Sequence, residues 1–145
     1  MSKYDECIKN GFLRHIPPSK EKAQLSLNRS QRWLSEAKIT LQSGAYGSSV
    51  LASYNAMFHS ARAILFLDGV REKNHFCLAR HLEEKYVKSK LLEKSWVELL
   101  DHYRELRHED QYSISFFASI NDAENSYKSA YDFCERIVKL LNSKN

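Results

Sequence analysis

Apolar residues recur along this chain at three- and four-residue steps, the signature of helices that each bury one stripe. Ala23, Leu27, Leu34, Ala37 and Leu41, with Ser30 in register, make the first stripe. Ser19 stands where an N-cap belongs, and Gly44 stands where the helix would stop. A second run covers residues 46–67. Val50, Tyr54, Met57, Phe58, Ala61 and Leu65 share a face there, while Leu51, Ile64 and Phe66 lie outside it. A helix apolar on more than one face belongs at the centre of a bundle or at an interface. Gly69 closes this run, and residues 69–73 read as a polar, basic loop.

Asn74 is placed to cap a third helix in which His75, Ala79, Leu82 and Tyr86 share a face. A fourth starts near Leu91, with Leu92, Trp96, Leu99, Tyr103 and Leu106 as its stripe. Residues 112–119 mix aromatic, β-branched and serine residues and read as a connector. Asn121 or Asp122 is the expected cap of a last helix carrying Ala123, Tyr127, Ala130, Cys134, Ile137 and Leu141. The pattern predicts an all-α, up-and-down bundle of about five helices over residues 19–145. Residues 1–18 form a weak extension, with at most one short helix before Pro17 and Pro18.

Composition narrows this further. The 145 residues suit one domain, and a domain of that size buries about two-thirds of its unfolded surface without metals or disulfides. Three cysteines at 7, 77 and 134 are an odd number with no CxxC pair. The first ten residues lack the apolar core of a signal peptide, and no run is long enough to span a membrane. Reduced cysteines and a cytoplasmic protein are therefore expected. Net charge is +4, which permits an anionic partner without demanding one. Between residues 71 and 90 six basic side chains face only three acids. That bias fits a solvated helix face as well as an anion site.

Candidate chemistry concentrates in two places. The end of the fourth helix carries Arg104, Arg107, His108, Glu109, Asp110 and Tyr112. Arg104 and Arg107 border its buried stripe, and a guanidinium offers a planar five-donor fork suited to phosphate. The same spacing also allows plain ion pairs, Arg107 with Asp110 and Arg104 with Asp101. On the second helix Asn55, His59 and Arg62 fall at i, i+4 and i+7 as one polar stripe that needs partners. Cys77 and His81 stand four apart, but no second pair follows at zinc-like spacing, so neither a metal nor a cofactor is expected.

Gly44-Ala45-Tyr46 and the run Ser53-Tyr54-Asn55-Ala56-Met57-Phe58-His59-Ser60-Ala61-Arg62-Ala63-Ile64-Leu65-Phe66 resemble the second helix of HEPN domains (higher eukaryotes and prokaryotes nucleotide-binding). Lys73-Asn74-His75 resembles the K-x-H that opens their third helix. Residues 106–112, Leu-Arg-His-Glu-Asp-Gln-Tyr, resemble their Leu-Arg-x-x-Ala-Asp-Tyr segment. The resemblance implies a dimerising all-α bundle with two arginine segments facing a shared cleft. It also implies a partner, a minimal nucleotidyltransferase, in a toxin–antitoxin-like pair.

Ribonuclease members of the family use an arginine and, five positions on, a histidine. Arg107 matches the arginine, but the fifth position here is Tyr112, and Gln111 replaces the usual Asp. An unperturbed tyrosine is a poor base at neutral pH. The reading favoured is a homodimeric module that binds RNA or a nucleotide through Arg104, Arg107, Asn55, His59, Arg62, Arg71 and Lys73. The alternative is a metal-independent ribonuclease in which Arg107 steadies the phosphate and His108 is the base, with Tyr112 beside them.

Overall fold

The computed structural model describes residues 1–144. Six α-helices are present: α1 (Lys3–Lys9), α2 (Lys20–Gln42), α3 (Tyr46–Asp68), α4 (His75–Leu82), α5 (Lys94–Tyr112) and α6 (Ile120–Ser143). A turn of π-helix, Glu83–Val87, continues α4. Two short strands, β1 (Leu13–His15) and β2 (Val70–Glu72), form an antiparallel ribbon. The all-α bundle expected from the periodicity is the observed architecture.

The long helices start and stop where local chemistry dictates. Ser19 caps α2 by accepting the amide of Lys22. Asn74 caps α4 by accepting the amide of Cys77. The cap of α6 is Ser119, not Asn121 or Asp122. Asp122 sits at the third helical position and returns the bond to the Ser119 amide, completing a capping box. The hydroxyl–carboxylate pair wins because it satisfies two orphan amides at once.

Helix α3 is the central element. It packs against α2, α4, α5 and α6 and buries thirteen of its residues. Its several apolar faces are thus consumed inside one bundle, which removes them as a reason to expect an interface. Contact with α2 is close because small residues line it. Ala37, Ala52 and Ala56 are buried, and Ser26, Ser30 and Ser49 donate their hydroxyls to backbone carbonyls of the facing helix.

Two expectations fail at the N-terminus. Residues 69–73 are not a free loop, because Val70–Glu72 pairs with Leu13–His15. The cysteines are not all reduced either: Cys7 and Cys77 form a disulfide across 70 residues of sequence, and only Cys134 is free. Cysteine usage therefore gives no argument for a reducing compartment. Spacing along the chain cannot show a pairing that depends on α1 folding back over α4. The bond, the ribbon and the buried side chains of Cys7 and Leu13 together dock the extension on the domain.

Gly69 makes that docking possible. It ends α3 in the left-handed conformation (φ 72°), and its carbonyl accepts the amide of Ile16. A Cβ there would stand 2.7 Å from the Ile16 carbonyl oxygen and 2.9 Å from Pro18. Gly69→Ala is expected to lower the free energy of unfolding by about 1–3 kcal/mol, combining left-handed strain with the clash. Urea melts of the two proteins measure this, and an unchanged midpoint would contradict the account.

Candidate functional site

Tyr54, one helical turn before Phe58, is buried on α3 and faces the first residue of α4. Its hydroxyl lies 2.9 Å from His75 Nδ1. His75 stacks on Phe58 at 3.9 Å between centroids and lies nearly parallel to Tyr54 at 5.7 Å. Burial pushes the Tyr54 phenol above its ordinary range despite the pull of Arg107 and Arg104, so the proton stays on. A buried hydroxyl donates where it can, and His75 Nδ1 is the partner in reach. His75 therefore accepts at Nδ1 and carries its own proton on Nε2.

The same imidazole is held neutral. Burial first, then the positive fields of Arg107, Arg104 and Arg62, bring His75 down to about 4. Three arginines from two helices thus surround one uncharged ring. They differ in how far they are already committed. Arg104 donates to Asp101 and Glu105, so the ion pair allowed by the sequence is present. Asp101 also takes Arg80, and the Phe76 ring centre lies 4.5 Å from the Arg80 guanidinium and 5.3 Å from that of Arg104. Arg62 approaches Glu72 at 2.7 Å and rides over Phe58 and Phe66.

Arg107 is different. It donates to the neutral Gln111 at 3.0 Å, and its guanidinium lies 5.1 Å from the centre of the Tyr54 ring. Its Nε is buried and has no partner among the described residues. The pair with Asp110 does not form. Asp110 sits instead against the start of α3, where a Cβ on Gly47 would stand 2.9 Å from its Oδ1. Burial and Asp122 raise its pKa there.

An open groove of about 630 Å³ adjoins this cluster. Arg62, Arg71, Lys73 and His75 line it, with Arg14 and His15 contributed by the ribbon. Glu72 is the one carboxylate on its wall, and it already faces Arg62. A neighbouring groove holds His59 with Lys22, Arg29, Trp33 and Arg62. Burial, Arg62, Arg29 and His75 lower His59 to about 4.

The fold therefore gathers Arg62, Arg71 and Lys73 in one groove and sets Arg104 and Arg107 around its histidine. His59 lies one groove away, joined through Arg62. Asn55 is half-buried on α3 and lines neither groove. His108 and Tyr112 are exposed, their rings 4.8 Å apart on the outer side of α5. Sequence reasoning missed His75 as a site residue. The signal was the K-x-H spacing together with a histidine opening a helix, but nothing local showed that Tyr54 would meet it. Cys77 is tied to Cys7 and cannot ligate, and among the described residues no group of three His, Cys, Asp or Glu is placed to hold a metal. Chemically, the arrangement offers a guanidinium fork with no carboxylate partner among the described residues and a ring N–H donor, both suited to anions.

His75 and His59 should leave a mark in acid. The unfolded chain binds protons near 6.5, the folded one only near 4, so the unfolded state gains protons as pH falls through that window. Stability should be level above pH 7 and decline between about pH 6.5 and 4. Chemical unfolding across that range tests it, with NMR titration assigning apparent pKa values near 4 to both rings. Values near 6.5 would refute the buried, cation-flanked description.

The HEPN domain model matches residues 23–144. The chain is 29% identical over 84 residues to "UPF0332 protein PH1297" of Pyrococcus horikoshii, covering 58% of this chain and 59% of that relative. It is 26% identical over 122 residues to "Putative toxin MJ0605" of Methanocaldococcus jannaschii, covering 84% of this chain and 90% of the other. The first match thus spans less than two-thirds of that relative's length.

Proposed function

Because the chain belongs to the HEPN domain family, we propose that it is a homodimeric module that binds RNA or a nucleotide through the groove beside His75. The observation that carries this reading is Arg107: a half-buried guanidinium with no carboxylate partner among the described residues, beside a neutral imidazole that presents a donor. A phosphate supplies anionic acceptors for both groups. Arg71 and Lys73, exposed on the groove rim, add the diffuse positive field that draws a polyanion. The relative whose name marks it as a toxin supports placing this chain in a toxin–antitoxin-like pair. We further propose a minimal nucleotidyltransferase as the partner and the cytoplasm as the place of action.

At His75 itself, geometry favours binding over base catalysis. His75 spends its lone pair on Tyr54, so it is a donor to phosphate and not a base. The ribonuclease alternative keeps Arg107 as the phosphate clamp and assigns the base to His108, an exposed imidazole that follows Arg107 on α5. Incubation with total RNA, with and without chelator, distinguishes the two. In that alternative His108→Ala loses cleavage and keeps binding.

Arg107→Ala is expected to fold normally and to lose binding of a single-stranded RNA by about tenfold to a hundredfold, the range of a lost charged hydrogen bond. Arg107→Lys should recover only part, keeping the charge without the fork. Affinity in the parent should fall steeply with salt. Filter binding measures all three, and parent binding that is absent or indifferent to salt would reject the reading.

The dimer is proposed on surface apolar residues. Ile114 (97% exposed) and Phe117 (87% exposed) stand out from the segment between α5 and α6, with Tyr112 and Ile120 exposed at its two ends. Isolated apolar residues are ordinary on a surface, but such a cluster marks a contact. Light scattering should give twice the chain mass, and Ile114→Asp with Phe117→Asp should give a folded monomer. A parent that is monomeric at micromolar concentration would contradict it.

A further inference from the structure

Away from the arginine groove, a cavity of about 430 Å³ opens between α1, the ribbon and the π-turn. Its polar end is a connected set. Asp68 accepts from His81 Nε2 at 2.8 Å and from the Tyr86 hydroxyl at 2.7 Å. Lys144 Nζ donates to the Tyr86 oxygen at 2.6 Å and stands 3.3 Å from Asp68. His81 is 2% exposed, and its Nδ1 is buried without a partner among the described residues. Buried polar atoms are nearly always paired, so this orphan marks the polar end as a place where the fold leaves a hydrogen-bonding group unused.

The rest of the lining defines the ligand. Ile8, Leu13, Val70 and Leu91 make an aliphatic wall, and Ile8 and Leu91 remain 45% and 55% exposed. Arg14 and Lys85 join Lys144 as cations around the cavity, against the single carboxylate of Asp68. That carboxylate is already engaged by His81, Tyr86 and Lys144, which leaves positive charge in excess. The volume is in the range of small-molecule sites, which pair an apolar lining with a few placed polar groups.

The backbone supplies a separate pointer. Residues 83–87 leave the α-helical ladder for a π-turn, and such turns are frequent at functional sites. Tyr86 lies within this turn, and its hydroxyl meets Asp68.

We propose that this cavity is a binding site for a small organic anion with an aliphatic body. The body lies along Ile8, Leu13, Val70 and Leu91, and the anionic head meets Arg14, Lys85 and Lys144. A carboxylic acid and a phosphate monoester both have this chemistry. The site shares Arg14 and His15 with the rim of the arginine groove, but it does not rest on the function proposed there.

The test uses the full chain and NMR, with octanoate, octyl phosphate, 1-octanol and adenosine monophosphate as probes. Octanoate or octyl phosphate should give saturable shifts at the Val70 and Leu91 amides and at the His81 ring nitrogens; which binds more tightly identifies the head group. Arg14→Ala with Lys85→Ala should weaken that binding by about tenfold. Leu91→Glu, an exposed change that places a like charge on the wall, should weaken it further with an unchanged unfolding midpoint. Arg107→Ala should leave it unaltered. The proposal is overturned if neither alkyl anion shifts these resonances, if neutral octanol binds as tightly, if only adenosine monophosphate does, or if the cavity variants bind like the parent.

Discussion

The close contact between α2 and α3 sets the geometry on which the rest depends. Helices approach this tightly only when the residues between them are small, and here alanines and serines fill the seam. A buried serine hydroxyl costs free energy unless it is paired. Each of Ser26, Ser30 and Ser49 meets that requirement by donating to a carbonyl across the seam, which also fixes the register of the two helices. With α2 seated, α3 presents Tyr54 and Phe58 toward α4 and α5, and the arginine cluster is built on those two rings.

That cluster holds charges near a group that resists them. Three guanidiniums around one imidazole are tolerable because the imidazole stays neutral and because two arginines are already compensated, Arg104 by Asp101 and Arg62 by Glu72. The arrangement leaves Arg107 as the member with capacity to spare. Its cation–π contact with Tyr54 holds the side chain in place without using up its donors. Position and availability are separated: the aromatic face supplies the first, the lack of a carboxylate the second.

The N-terminal extension turns out to shape both sites. Its ribbon puts Arg14 and His15 on the rim of the arginine groove, and its helix supplies Tyr4 and Ile8 to the second cavity. The Cys7–Cys77 bond anchors it two residues beyond His75. Both sites therefore lean on the short α1 and β1 that precede the long helices.

The sequence by itself determined the helices. Stripes at 3.6-residue spacing, the caps Ser19 and Asn74, and the stops at Gly44 and Gly69 act over three or four residues, which is why they are readable from neighbours in the chain. The Arg104–Asp101 pair belongs to the same class, being three apart on one helix. Tertiary structure decided what distant segments do to one another. Asp110 was free to pair with Arg107 by spacing, yet packing at Gly47 claims it. Tyr54 meets His75 across 21 residues and Cys7 meets Cys77 across 70. The strand Val70–Glu72 exists only because residues 13–15 return to it. Burial is also a tertiary property, and it is burial that keeps His75 uncharged beside the arginines. Local periodicity cannot encode these outcomes, because each depends on which surfaces the packed helices bring together.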